Sequence, residues 1–143
     1  MWFAFTILGS VIVLSRAVPK CPELGEYTMQ QDVKDHIVPK VLLHSPGKDI
    51  TDVFSVYDCY LEKMAGEILK DPHKPIKFLE SIGIYPLVYS IDGKGETNVR
   101  LMSHAALDDW KKYIETIPFY TFGCNYRKED GHHKYLCLLR HEA

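Results

Sequence analysis

Phe122-Gly123-Cys124-Asn125-Tyr126-Arg127-Lys128-Glu129-Asp130-Gly131-His132-His133-Lys134-Tyr135-Leu136-Cys137-Leu138 is the stretch on which the fold turns. Two runs rich in aromatic and apolar residues, Phe119 to Tyr126 and Tyr135 to Leu139, flank Asp130-Gly131. Asp-Gly between such runs is the chemistry of a two-residue type I′ hairpin loop, because both central positions need positive φ. Counting outward from a hydrogen-bonded Glu129/His132 pair sets Tyr126 against Tyr135 and Cys124 against Cys137. The cysteines then share a non-hydrogen-bonded site, where Cα atoms lie about 4.5 Å apart and a disulfide fits. Cys124–Cys137 is therefore expected to staple the two strands.

Four cysteines in an exported chain argue for two disulfides, with three connectivities open in principle. Once the hairpin pair is assigned, Cys21 falls to Cys59 by elimination, the alternatives being free thiols or a bridge to another chain. Export itself is read from Met1 to Ala17, an apolar run closing on the small-x-small triplet Ser15-Arg16-Ala17. The run is too short for a comfortable membrane span, which needs roughly 20 residues. No Lys or Arg precedes it, so an uncleaved anchor or a buried first helix is the other reading. The expectation is a signal peptide over residues 1–17 and one domain over 18–143. Cleavage would shift the net charge from −2 to −3, since Arg16 leaves and all 19 acids stay. A mildly acidic chain with no basic block is a poor binder of nucleic acid or anionic membranes. With 46% apolar and 12% aromatic residues, it is also not a disordered chain.

Upstream of the hairpin, Val33, Ile37, Val41 and Leu42 recur at helical spacing, but Pro39 inside the run calls for a kink or two pieces. Ser55-Val56-Tyr57-Asp58 has the form of a capping box, followed by an apolar stripe of Leu61, Met64, Ala65, Ile68 and Leu69. Ile82 to Ile91 reads as a strand that Pro86 confines to an edge or bulge. A third helix is expected from an N-cap near Ser103, with Ala106, Leu107, Trp110, Tyr113, Ile114 and Ile117 on its apolar face. Pro118 stops it. Helices first, strands last and no βαβ alternation define an α+β class with a small antiparallel sheet.

The chain holds no Gly-x-Ser-x-Gly elbow, phosphate loop, Cys-x-x-Cys or His-Glu-x-x-His. His132 and His133 are strand neighbours pointing to opposite faces, a poor grip for one metal. Glu62, Glu67 and Glu80 read as surface helix charge. Oxidised cysteines offer no thiolate for catalysis. No catalytic residue, metal or cofactor is expected. Asn98-Val99-Arg100 and Asn125-Tyr126-Arg127 both fail the N-glycosylation pattern.

Ser55 to Ala65, Ser-Val-Tyr-Asp-Cys-Tyr-Leu-Glu-Lys-Met-Ala, resembles the Tyr-Asp-Cys-x-Leu-Glu helix of the CAP superfamily. This is the sperm-coating/antigen-5/pathogenesis-related group, including the abundant secreted proteins of parasitic nematodes. The closing hairpin is similar to that family's Gly-Cys strand paired with a strand ending in Cys, and Cys21-Pro22-Glu23 opens the domain as in nematode members. His44-Ser45-Pro46-Gly47-Lys48 looks like a worn version of the family's His-Asn-x-x-Arg, and Leu79-Glu80-Ser81-Ile82 sits where its Gly-Glu-Asn motif is expected.

The resemblance implies an α–β–α sandwich-like domain pinned by two disulfides. The family's cavity of two histidines and two glutamates would be represented by a remnant of His73, Glu80 and His104. His104 lies six residues before Trp110, the spacing of the family's His-to-Trp motif, while a rival alignment moves Trp110 to the preceding helix. The implied function is secreted, extracellular and non-enzymatic, binding a host protein or a lipid or sterol without stable membrane insertion. The loops His44 to Ile50 and Asp92 to Asn98 would serve as display elements. The competing expectation is a small secreted metal-dependent hydrolase or inhibitor on an unrelated disulfide-stabilised fold.

Overall fold

A computed structural model describes residues 18–71, 73, 76–92 and 98–141; the expected signal peptide and the body of the 92–98 loop lie outside the described residues. A 3-10 segment, Pro22–Tyr27, leads into α1 (Gln31–His44). A short α2 (Val53–Val56) precedes α3 (Cys59–Lys70) and α4 (Phe78–Ser81). Strand β1 (Ile84–Asp92), helix α5 (Val99–Thr116), β2 (Thr121–Glu129) and β3 (His132–Arg140) complete the chain. The three strands form one antiparallel sheet in the order β1-β3-β2.

The last strand to be made is the centre of the sheet, and its two faces feed two cores. Tyr135, Cys137 and Leu139 join Phe122, Cys124 and Leu87 under α1 and α5. Leu136 and Leu138 pack with Ile84, Leu79 and the α3 residues Leu61, Ala65, Ile68 and Leu69. A strand buried on both faces reads as the continuous apolar run Tyr135 to Leu139 rather than as an alternation. The result is the three-layer α–β–α arrangement, with α1 and α5 on one side and α3 and α4 on the other.

The hairpin register is the one the Asp-Gly turn dictates: Asp130 and Gly131 have φ of 52° and 78°, Glu129 faces His132, and Cys124 faces Cys137. Both disulfides are present, Cys21–Cys59 and Cys124–Cys137, the latter with Cα atoms 4.0 Å apart. Pro86 lies on an edge strand, as its missing N–H requires.

Three helix expectations need correction. Of the two outcomes expected at Pro39, a kink or two pieces, the second is excluded: α1 is one helix from Gln31 to His44. An interior proline costs about 3 kcal/mol, and the complete burial of Ile37, Val38, Val41 and Leu42 beside it, at about 1.5–3 kcal/mol each, offsets that. Ser55 does not cap α3. Its hydroxyl donates to the Asp52 carbonyl, while Asp58 is the N-cap and accepts from the Tyr60 amide at 2.8 Å. The helix cannot start earlier because Tyr57 is drawn into an extended bridge with Phe122. Finally, α5 starts at Val99 on an Asn98 cap, whose side chain accepts from Leu101. Ser103 is a buried residue within that helix.

Candidate functional site

The Tyr57-Asp58-Cys59-Tyr60-Leu61-Glu62 segment is where one edge of the sheet is closed. On β2, Phe122 carbonyl accepts from the Asp58 amide at 2.8 Å, and the Cys124 amide and carbonyl both meet the Tyr57 hydroxyl, at 3.3 and 3.2 Å. These groups would otherwise be an open strand edge. Gly123 permits the approach: a Cβ there would sit 2.5 Å from the Glu62 nitrogen and 2.6 Å from the Asp58 carbonyl oxygen. Cys59 ties the same turn to Cys21.

Beneath this edge lies a buried charged cluster. Lys34 of α1 and Glu62 of α3 form an ion pair of 2.8 Å, and neither residue is exposed. Glu62 also accepts from the Tyr57 hydroxyl and from the Met29 amide at 2.9 Å. Asn125 donates to the Tyr27 and Glu62 carbonyls at 2.6 and 3.0 Å. Burial, with the Glu62 charge second, pushes the Tyr57 phenol well above its ordinary value. Glu62 is thus not surface helix charge. Spacing held the signal, since Glu62 shares a helical ridge with Asp58, Ala65 and Leu69, and Lys34 one with Ile37, Val38 and Val41. Its polar groups are engaged within the fold, so this cluster is scaffold rather than a reactive centre.

The residues of the expected cavity remnant are not brought together. His73 is exposed beyond the end of α3, its amide donating to the Asp71 carboxylate. Glu80 is exposed on α4, on one side of the sheet, and His104 is exposed on α5, on the other. The sheet stands between the last two because α4 packs on Leu136 and Leu138 while α5 packs on Tyr135, Cys137 and Leu139. Among the described residues no three His, Cys, Asp or Glu side chains gather as a metal site would need.

What the surface offers instead is a groove along the seam of α1 and α5. One part, about 280 Å³, is lined by Lys40, Leu43 and His44 of α1 and by His104, Leu107, Asp108 and Lys111 of α5. The other, about 320 Å³, lies against Ser45, Pro46, Lys48 and the stretch Glu115 to Phe119. Its wall is formed by the His44 to Ile50 loop, held by the Ser45 hydroxyl on the Val41 carbonyl at 2.6 Å and by Lys48 over the Phe119 ring at 4.7 Å. The sequence marks this loop and His104, but not the hollows they line, because the shape of each depends on how two distant helices cross. Of the second loop only its ends, Asp92 and Asn98, are described. No helix among the described residues is long and apolar enough to cross a membrane.

The fold and its staples define a small disulfide-pinned α–β–α domain, the chemistry of an oxidising compartment. Residues 21–139 match the family model "Ancylostoma-associated secreted protein related". The chain belongs to that family, as a divergent CAP-superfamily member. No curated protein and no solved structure matches it.

Proposed function

We propose that this chain acts outside the cell as a non-catalytic binding protein, a parasite excretory–secretory effector that presents its α1–α5 groove to a host protein. One observation carries the reading: interior polar chemistry is spent on holding the sheet edge, whereas the groove leaves charged and apolar side chains facing solvent. Leu43 is 72% exposed in its wall, and Leu101, on the same stripe of α5 as His104, is 58% exposed. Large apolar side chains ringed by polar ones mark interaction surfaces.

A protein partner suits the groove better than a lipid does. Sites that engulf small molecules run to about 300–1,000 Å³ and bury most of the ligand; these two hollows, of about 280 and 320 Å³, stand at the bottom of that range and are lined by charged side chains, Lys40, Asp108 and Lys111 in one and Lys48 and Glu115 in the other. A hydrolase working through Glu80 with His104 would need both in reach of one cleft, and the sheet lies between the helices that bear them. The test is binding of the oxidised full chain to an array of host extracellular proteins. A partner lost on Leu43→Asp, with the thermal midpoint unchanged, is the expected result. A partner indifferent to both Leu43→Asp and Leu101→Asp, or saturable uptake of a fluorescent sterol in its place, would defeat the reading.

A further inference from the structure

We infer that the groove between Lys40 and Lys111 is a docking site for an acidic peptide segment carrying an apolar anchor, a deepening of the display reading that rests on it. With histidines counted neutral, the lining sets two lysines, Lys40 and Lys111, against the single carboxylate of Asp108, and His44 and His104 stand beside them. The chain as a whole carries −2, so this patch opposes the overall sign. Among the described residues two lysines are ion-paired, each at 2.8 Å: Lys34 on Glu62 and Lys70 on Glu26. Among the described residues Lys40, Lys111 and Asp108 enter no ion pair. Lys111 stands in the body of α5, away from any helix C-terminus that would account for a cation there.

The apolar part of the lining decides between anions. Leu43 and Leu107 line the same hollow as the two lysines, with Leu43 the most exposed large apolar side chain among the described residues. A sulfated glycan would satisfy the ammonium groups and gain nothing from an apolar wall. A peptide with carboxylates flanking a leucine or phenylalanine matches both features at once: charges steer and register it, and the apolar anchor supplies the desolvated contact.

The test uses the oxidised full chain and, as probe, a fluorescein-labelled short peptide of glutamates around one leucine, followed by anisotropy. Binding is expected to weaken about tenfold or more, 1.4 kcal/mol per decade, for Lys40→Glu combined with Lys111→Glu, and similarly for Leu43→Asp. Lys63→Glu, on the exposed side of α3, should leave it unchanged. Two arms need no protein variant: serine in place of the peptide's leucine, and added salt, should each weaken binding. Failure of the peptide to bind, equal binding of the leucine-free peptide, or stronger binding of heparin would overturn the proposal. Should the peptide fail while a host protein is still captured in a Leu43-dependent way, the acidic class is wrong and the display reading stands; if both fail, both fall.

Discussion

Lys34 and Lys40 sit less than two turns apart on α1, yet they live in opposite chemistries. Lys34 is fully buried, paired with Glu62 at 2.8 Å and laid over the Tyr57 ring at 4.8 Å. Lys40 faces an open groove and enters no ion pair among the described residues. The difference follows from what lies across from each end of the helix. The N-terminal half of α1 meets the start of α3 and the β2 edge, where backbone polar groups must be satisfied in a dry interior. The C-terminal half buries Val41 and Leu42 in the core, but its outer side runs along α5, and the seam of the two helices leaves a valley open to water. One helix therefore serves as scaffold at its first end and as display surface at its last.

The sharpest way to break this comparison is to unpair the buried end. Glu62→Ala leaves Lys34 charged in a dry interior and is expected to cost about 3–5 kcal/mol in chemical denaturation. If the loss is under about 1 kcal/mol, the range of an exposed pair, the cluster is not the closure it is described to be.

The covalent tie at the same end comes next. The Cys21–Cys59 loop spans 38 residues and the Cys124–Cys137 loop 13. In the chain-entropy model their removal by paired serine substitution costs about 4 and about 3 kcal/mol respectively. The reverse ranking of denaturation midpoints would mean that hairpin packing, not loop closure, sets the contribution.

Tyr57→Phe removes the hydroxyl shared by Glu62 and both Cys124 backbone groups, with an expected loss of about 1–3 kcal/mol. Its proton gives a second readout. Burial raises the Tyr57 phenol and pushes Tyr135 up to about 12, whereas unfolded tyrosines titrate near about 10. The folded chain thus holds these protons more tightly. Stability should be full below about pH 10 and decline as pH rises through 12, with phenolate absorbance appearing together with unfolding. Phenolate absorbance developing fully in a still-folded chain at pH 10 would contradict the burial of both rings.

The smallest effect belongs to the open end. Lys40→Ala should change stability by less than about 0.5 kcal/mol, measured by thermal melting beside Glu62→Ala. A larger loss would assign Lys40 to the scaffold and remove the contrast.

Legibility in the sequence tracked the range of the forces involved. The hairpin was readable to the residue because Asp130-Gly131 sets the register of everything it joins, Cys124–Cys137 included. Pro86 announced an edge strand for an equally local reason. The start of α3 was misread at Ser55 because only the distant Phe122 carbonyl, taking the Asp58 amide, stops the helix from extending further back. His73, Glu80 and His104 looked like a set along the chain and are separated by the sheet in space.

Local steric chemistry and the redox logic of four cysteines thus sufficed for the turn, the strand pairing beside it, both disulfides and the class of fold. Which charges are interior and which face water was settled only when the layers closed. Burial of Lys34 against Glu62, and the valley that leaves Lys40 open, depend on contacts between residues far apart in the chain, and desolvation is a property of the surroundings that no single position carries in its own identity.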